Sequence, residues 1–78
     1  MPTVLLINGY RFFFFSNERS EPMHIHIEKA EKYAKFWIQP LFVAVNFGFT
    51  GKELREIGEI IEKNEALIRE KWNEHFGK

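Results

Sequence analysis

The chain has 78 residues and 9.4 kDa, with 11 Lys plus Arg balanced by 11 Asp plus Glu. Residues 1–78 are expected to form one small domain around one core, because a typical domain already takes about 100–150 residues. A hydrophobic content of 45% with nine Phe excludes a disordered tail, and the zero net charge excludes the broad positive field that drives unspecific binding to DNA or anionic lipid.

Residues 3–7 (Thr-Val-Leu-Leu-Ile) and 10–15 (Tyr-Arg-Phe-Phe-Phe-Phe) are rich in β-branched, aliphatic and aromatic side chains. Asn8-Gly9 between them accepts the positive φ angles of a type I′ turn, so a hairpin is predicted. Apolar residues on both faces of its second strand place that strand inside the sheet. The Phe12 to Phe15 run reads as core plus interface. Ser16 to Pro22 is polar and turn-forming, and reads as a loop. His24-Ile25-His26-Ile27-Glu28 then alternates strictly, the mark of a strand with the two Ile inward and the polar residues on the other face. A short connection, Ala30-Glu31-Lys32, leads to a fourth strand over Tyr33 to Ile38, and a fifth follows Gln39-Pro40 over Leu41 to Phe47. Phe47-Gly48-Phe49 is expected to pack the following helix against the sheet.

Thr50-Gly51-Lys52-Glu53 has the spacing of a capping box and opens the helical part. Leu54, Ile57, Ile61, Ile68, Trp72 and Phe76 form one apolar stripe, about 100° wide at 100° per residue. Asn64 and Glu65 interrupt it, which predicts a kink or turn there and two short helices rather than one long one. The expected fold is therefore α+β: a twisted, mainly antiparallel sheet of four or five strands over 1–48, then C-terminal helices over 50–76 packed on one face.

Several chemistries drop out. No Cys is present, which removes disulfides, thiolate zinc sites and cysteine nucleophiles, and fits a reducing compartment. The apolar runs Val4–Ile7 and Phe12–Phe15 are far below the roughly 20 residues of a membrane span. Met1-Pro2-Thr3 shows neither a basic leader nor a cleavage motif, so a cytoplasmic location is expected. A domain this short and aromatic is a candidate homodimer.

The segment with chemical content is Glu21-Pro22-Met23-His24-Ile25-His26-Ile27-Glu28. On an extended strand His24, His26 and Glu28 leave one face, with about 6.6 Å between successive side chains. Three readings follow. The histidines are half-exposed sheet residues satisfied by loop carbonyls; or they ligate a metal with a carboxylate as third ligand; or they serve as general acid and base on an RNA phosphodiester, which needs no metal or other cofactor. The third reading asks for a cation to hold the developing phosphate charge, and Arg11 and Lys35 are the candidates. Trp37 shares parity with Lys35 and Tyr33 and offers either a stacking surface for an unpaired base or a contact for a second subunit. Asn17 in the preceding loop could orient a histidine or the ligand, or simply form the turn. His75, at the far end of the chain, is read as capping helix carbonyls.

The ordered set Arg11 with its aromatic run, Ser16-Asn17-Glu18, Pro22-Met23-His24-Ile25-His26-Ile27, Ala34-Lys35-Phe36-Trp37, Gly48-Phe49 and Trp72-Asn73-Glu74 resembles the prokaryotic family known as domain of unknown function 4160. The resemblance runs almost end to end, and its most specific element is Pro-x-His-hydrophobic-His. Members often carry a second Pro where Met23 stands, so the loop entering this strand departs from the family pattern. The resemblance implies a role in two-gene modules of toxin–antitoxin type, beside a partner of the family known as domain of unknown function 2442. It also singles out Arg11, Asn17, His24, His26, Lys35 and Trp37 as the group to test. The leading expectation is a toxin-like component acting on RNA through His24 and His26, with Arg11 or Lys35 on the phosphate. The alternative is a non-catalytic protein-interaction module, or the neutralising partner of such a pair.

Overall fold

The structure, a computed structural model, describes residues 3–15 and 21–77. Five strands, β1 (Thr3–Ile7), β2 (Tyr10–Phe13), β3 (His24–Lys29), β4 (Lys32–Trp37) and β5 (Phe42–Phe47), are followed by helices α1 (Gly51–Lys63) and α2 (Glu65–Phe76). The strands form one antiparallel sheet in the order of the chain, so β1 and β5 are its edges. This is the α+β arrangement expected from the sequence, with strand ends shifted by one or two residues.

Local chemistry accounts for the turns. Asn8 and Gly9 have φ of 55° and 84°, which suits the right-handed twist of the flanking strands and closes the β1–β2 hairpin in two residues. Ala30 and Glu31 turn β3 into β4, with Ala30 at φ 54°. At the start of α1, Thr50 Oγ1 accepts the Glu53 N–H at 3.1 Å and the Glu53 carboxylate accepts the Thr50 N–H at 2.9 Å, the reciprocal pair that the sequence spacing implies. Glu53 also receives Lys32 Nζ from β4 at 2.8 Å, and this contact first, then the cap, holds its carboxyl below the usual range. Asn64 separates the helices. Its side chain donates to the Ile60 carbonyl at 2.8 Å, competing with the helical ladder, and its own carbonyl accepts the Ile68 N–H that restarts it.

The core lies between one face of the sheet and the helices. Tyr10, Phe12 and Phe14 from and after β2, Ile25 and Ile27 from β3, and Ala34 and Phe36 from β4 meet Phe49, Ile57, Ile60, Ile61 and Ile68. Each fully buried Phe or Ile contributes about 2–3 kcal/mol by removal from water, against a large loss of chain entropy. Phe49 packs the helix as expected, but Phe47 turns to the opposite face and is 65% exposed. Among the described residues no helix is long and apolar enough to cross a membrane.

One buried polar group ties the hairpin to α1. The Tyr10 hydroxyl donates to Glu56 at 3.0 Å, and Asn8 donates to the other carboxylate oxygen at 3.1 Å. Burial, then the bond to Glu56, pushes the Tyr10 phenol from 10.0 up to about 12. The raised value favours the folded state below the unfolded pKa of 10.0, and the advantage is lost as pH rises toward 12. Wild-type protein should therefore lose about 2 kcal/mol more than Tyr10→Phe across that window, measured by urea titration at stepped pH. Parallel pH curves for the two proteins would contradict this.

Candidate functional site

Directly opposed residues of antiparallel strands project on the same side, so the register defines the face of the sheet that carries no helix. Leu6 opposes Arg11; Arg11 opposes Glu28; Phe13 opposes His26. His24 opposes Trp37, His26 opposes Lys35, and Glu28 opposes Tyr33. Across β4, Tyr33 opposes Phe47, Lys35 opposes Val45, and Trp37 opposes Phe42. His24, His26, Arg11, Lys35 and Trp37 thus share one face, as strand alternation predicts. Asn17 lies outside the described residues.

Coverage differs from the expectation. The reading of His24 and His26 as half-exposed or catalytic residues places their rings toward solvent, yet the two residues are 0% and 2% exposed. The reason is a layer of aromatic rings. His26 packs between Phe15 at 4.3 Å, Phe13 at 5.5 Å and Tyr33 at 5.8 Å between centroids, and His24 lies 5.0 Å from it. Trp37 and, from α2, Trp72 close over His24 at 5.5 and 5.3 Å. Both imidazoles are hydrogen-bonded inside this layer, which buried polar rings require. His24 Nδ1–H donates to the Pro22 carbonyl at 2.8 Å, a loop carbonyl of the kind anticipated, and His26 Nδ1 shares a 2.7 Å bond with the Tyr33 hydroxyl.

The candidate phosphate cations are also engaged. Arg11 donates to Glu28 and to the Thr3 hydroxyl, each at 2.9 Å, and lies 4.5 Å over the Phe13 ring. Lys35 donates to Glu21 at 2.8 Å and sits 4.5 Å over Trp37. The Lys35 ammonium, through its hydrogen bond, holds the Glu21 carboxyl below its ordinary value. Phosphate would have to displace a carboxylate from either cation. Glu28, the carboxylate on the histidine face, is turned to Arg11, and among the described residues no three His, Asp or Glu groups converge as metal ligands. His75, read as a carbonyl cap, stacks on Phe14 at 6.1 Å and abuts Phe76 at 4.5 Å. It lines a shallow cleft of about 290 Å³ with Thr3, Val4, Phe14, Lys71 and Glu74.

The same face gathers apolar surface that sequence reading missed. Leu6, Phe42 and Phe47 are 71%, 51% and 65% exposed and all project there, and Phe15, also exposed, lies against His26 beside them. These are the large exposed hydrophobic side chains of the described residues, and none is on the helical side. For Phe42 and Phe47 the available signal was the pairing register, which depends on a shift between Lys35 and Phe36.

Residues 9–73 match the family described as Domain of unknown function (DUF4160). The chain belongs to this family. No curated protein and no solved structure matches the chain. The DUF4160 match spans β2 to α2 and includes every ring that packs on His24 and His26, as well as both cations and their carboxylates.

Proposed function

We propose that this protein is a non-catalytic protein-interaction module that docks a partner protein on the helix-free face of its sheet. The observation that carries this reading is the segregation of Leu6, Phe15, Phe42 and Phe47 to that face, over a layer whose histidines are buried and whose cations are already paired. An apolar face with neutralised charges suits a partner of matching shape and apolar character. It is poorly suited to a polyanion, whose binding rests on Lys and Arg free to meet phosphate. In a two-gene module this is the role of the neutralising component, and the product of the adjacent gene is the first partner to test.

The decisive experiment is co-purification of the chain with that product, followed by titration of the complex. Leu6→Lys should weaken the complex about tenfold or more, since a charge then faces apolar surface. Arg55→Glu, on the exposed side of α1, should leave it unchanged. Equal affinity for both variants and wild type would overturn the reading.

Toxin-like action on RNA keeps one observation in its favour, the approach of the two imidazoles to 5.0 Å on a face shared with Lys35. It requires the aromatic layer to part before substrate reaches either ring. RNA cleavage by the purified chain that disappears in His24→Gln, with the fold retained, would favour that reading over docking.

A further inference from the structure

Strand β5 is an open edge, and edges are usually guarded by Lys, by Pro, by shortness or by a bulge, because unpaired N–H and C=O groups recruit other strands. Of these β5 carries only the bulge, opposite Lys35 and Phe36. Its sequence is Phe-Val-Ala-Val-Asn-Phe, and no Asp, Glu, Lys or Arg occurs between Lys35 and Lys52. The Asn46 side chain is held toward its own chain by two bonds to the Phe49 backbone.

The register adds a second observation. In a regular strand, residues five apart point to opposite faces. The shift between Lys35 and Phe36 adds one residue to β5, so that Phe42 and Phe47 both stand on the helix-free face, opposite Trp37 and Tyr33. Val43 and Asn46 both stand on the other, opposite Phe36 and Ala34. Read from either end, the outer two residues of β5 therefore present the same order of faces. A two-fold axis through its middle would set Phe42 against Phe47 and Val43 against Asn46 with these four side chains each on its own face, which a regular strand with this midpoint could not do.

We infer that two copies of this chain pair antiparallel through β5, Phe42 of one copy facing Phe47 of the other, to give a continuous ten-stranded sheet. The second copy is the occupant because the edge is complementary to itself in register and holds no charge to repel its own image. Such pairing covers two half-exposed Phe rings per copy that the monomer leaves in water. A six-residue seam, about 20 Å long, lies at the small end of stable interfaces, so the dimer should dissociate in the micromolar range. The inference rests on the edge and its register; it shares Phe42 and Phe47 with the face proposed above to dock another protein, and leaves Leu6 and Phe15 outside the seam.

Sedimentation of the full chain from about 1 to 500 µM, a span that brackets micromolar dissociation, tests it. Wild type should pass from monomer to dimer. Phe42→Lys with Phe47→Lys in one chain sets like charges opposite each other twice across the seam and should raise the dissociation constant at least about tenfold. Phe42→Lys with Phe47→Glu keeps the two altered side chains apart within a chain and brings opposite charges together only between copies. It should dimerise about tenfold more tightly than the double-lysine variant. Both positions are solvent-exposed, and unchanged circular dichroism would confirm that the fold survives. Leu6→Lys, on the other edge strand, should leave dimerisation unaltered, which separates this result from the test of partner docking. A wild-type monomer at all concentrations, or equal association of the two double variants, would overturn the inference.

Discussion

His24→Ala and His26→Ala should each lower the free energy of unfolding by about 2–4 kcal/mol in urea titration, because each empties a fully packed site and removes a hydrogen bond made inside it. For His26 the ring lost is the one that Phe13, Phe15 and Tyr33 surround, and the bond lost is the one shared with the Tyr33 hydroxyl. For His24 the ring fills the space between Trp37, Trp72 and His26. A surface catalytic histidine behaves otherwise: its removal costs activity and leaves stability within about 0.5 kcal/mol. Two alanine variants as stable as wild type would therefore count against the packing role.

Trp72→Ala should cost about 2–4 kcal/mol, somewhat less than a fully buried Trp would, since this residue is partly exposed. Trp72 is the link between the two sides of the sheet. It packs on Phe14 at 5.3 Å and on Phe76 at 4.3 Å, and on His24, at the start of β3, at 5.3 Å. Removing it should loosen α2, whose buried anchor is otherwise Ile68, and lower the helical signal at 222 nm before the main unfolding transition. A single unfolding transition at the wild-type midpoint would show that α2 is held without it.

What could be read from the sequence was local. Asn8-Gly9 names its turn type, Thr50 and Glu53 name the helix start, and Asn64 interrupts the apolar stripe where the two helices separate. The alternation of His24, Ile25, His26 and Ile27 fixes which side of the sheet each ring occupies. It says nothing of what lies above that side. The cover over His24 comes in part from Trp72, distant in sequence, whose helical periodicity marks it only as core. The carboxylate for Arg11 was visible, because Glu28 shares the face of His26, whereas Glu21 precedes β3 and no period assigns it to Lys35. From the sequence, Phe47-Gly48-Phe49 reads as helix packing. The shift opposite Lys35 and Phe36 sends Phe47 to the other face, and no Gly or Pro within β5 signals such a bulge.

The central claim is that His24 and His26 are packed beneath the aromatic layer of the helix-free face and not presented at its surface. Diethyl pyrocarbonate, which carbethoxylates accessible neutral imidazoles, tests it most directly, with mass spectrometry locating the modified residue at each time point. Of the three histidines, only His75, which is exposed on α2, should react at a rate near that of a free imidazole. His24 and His26 should stay unmodified until urea unfolds the chain, and His24 should become reactive first in Trp72→Ala. Native modification of His24 or His26 as fast as that of His75 would contradict the account.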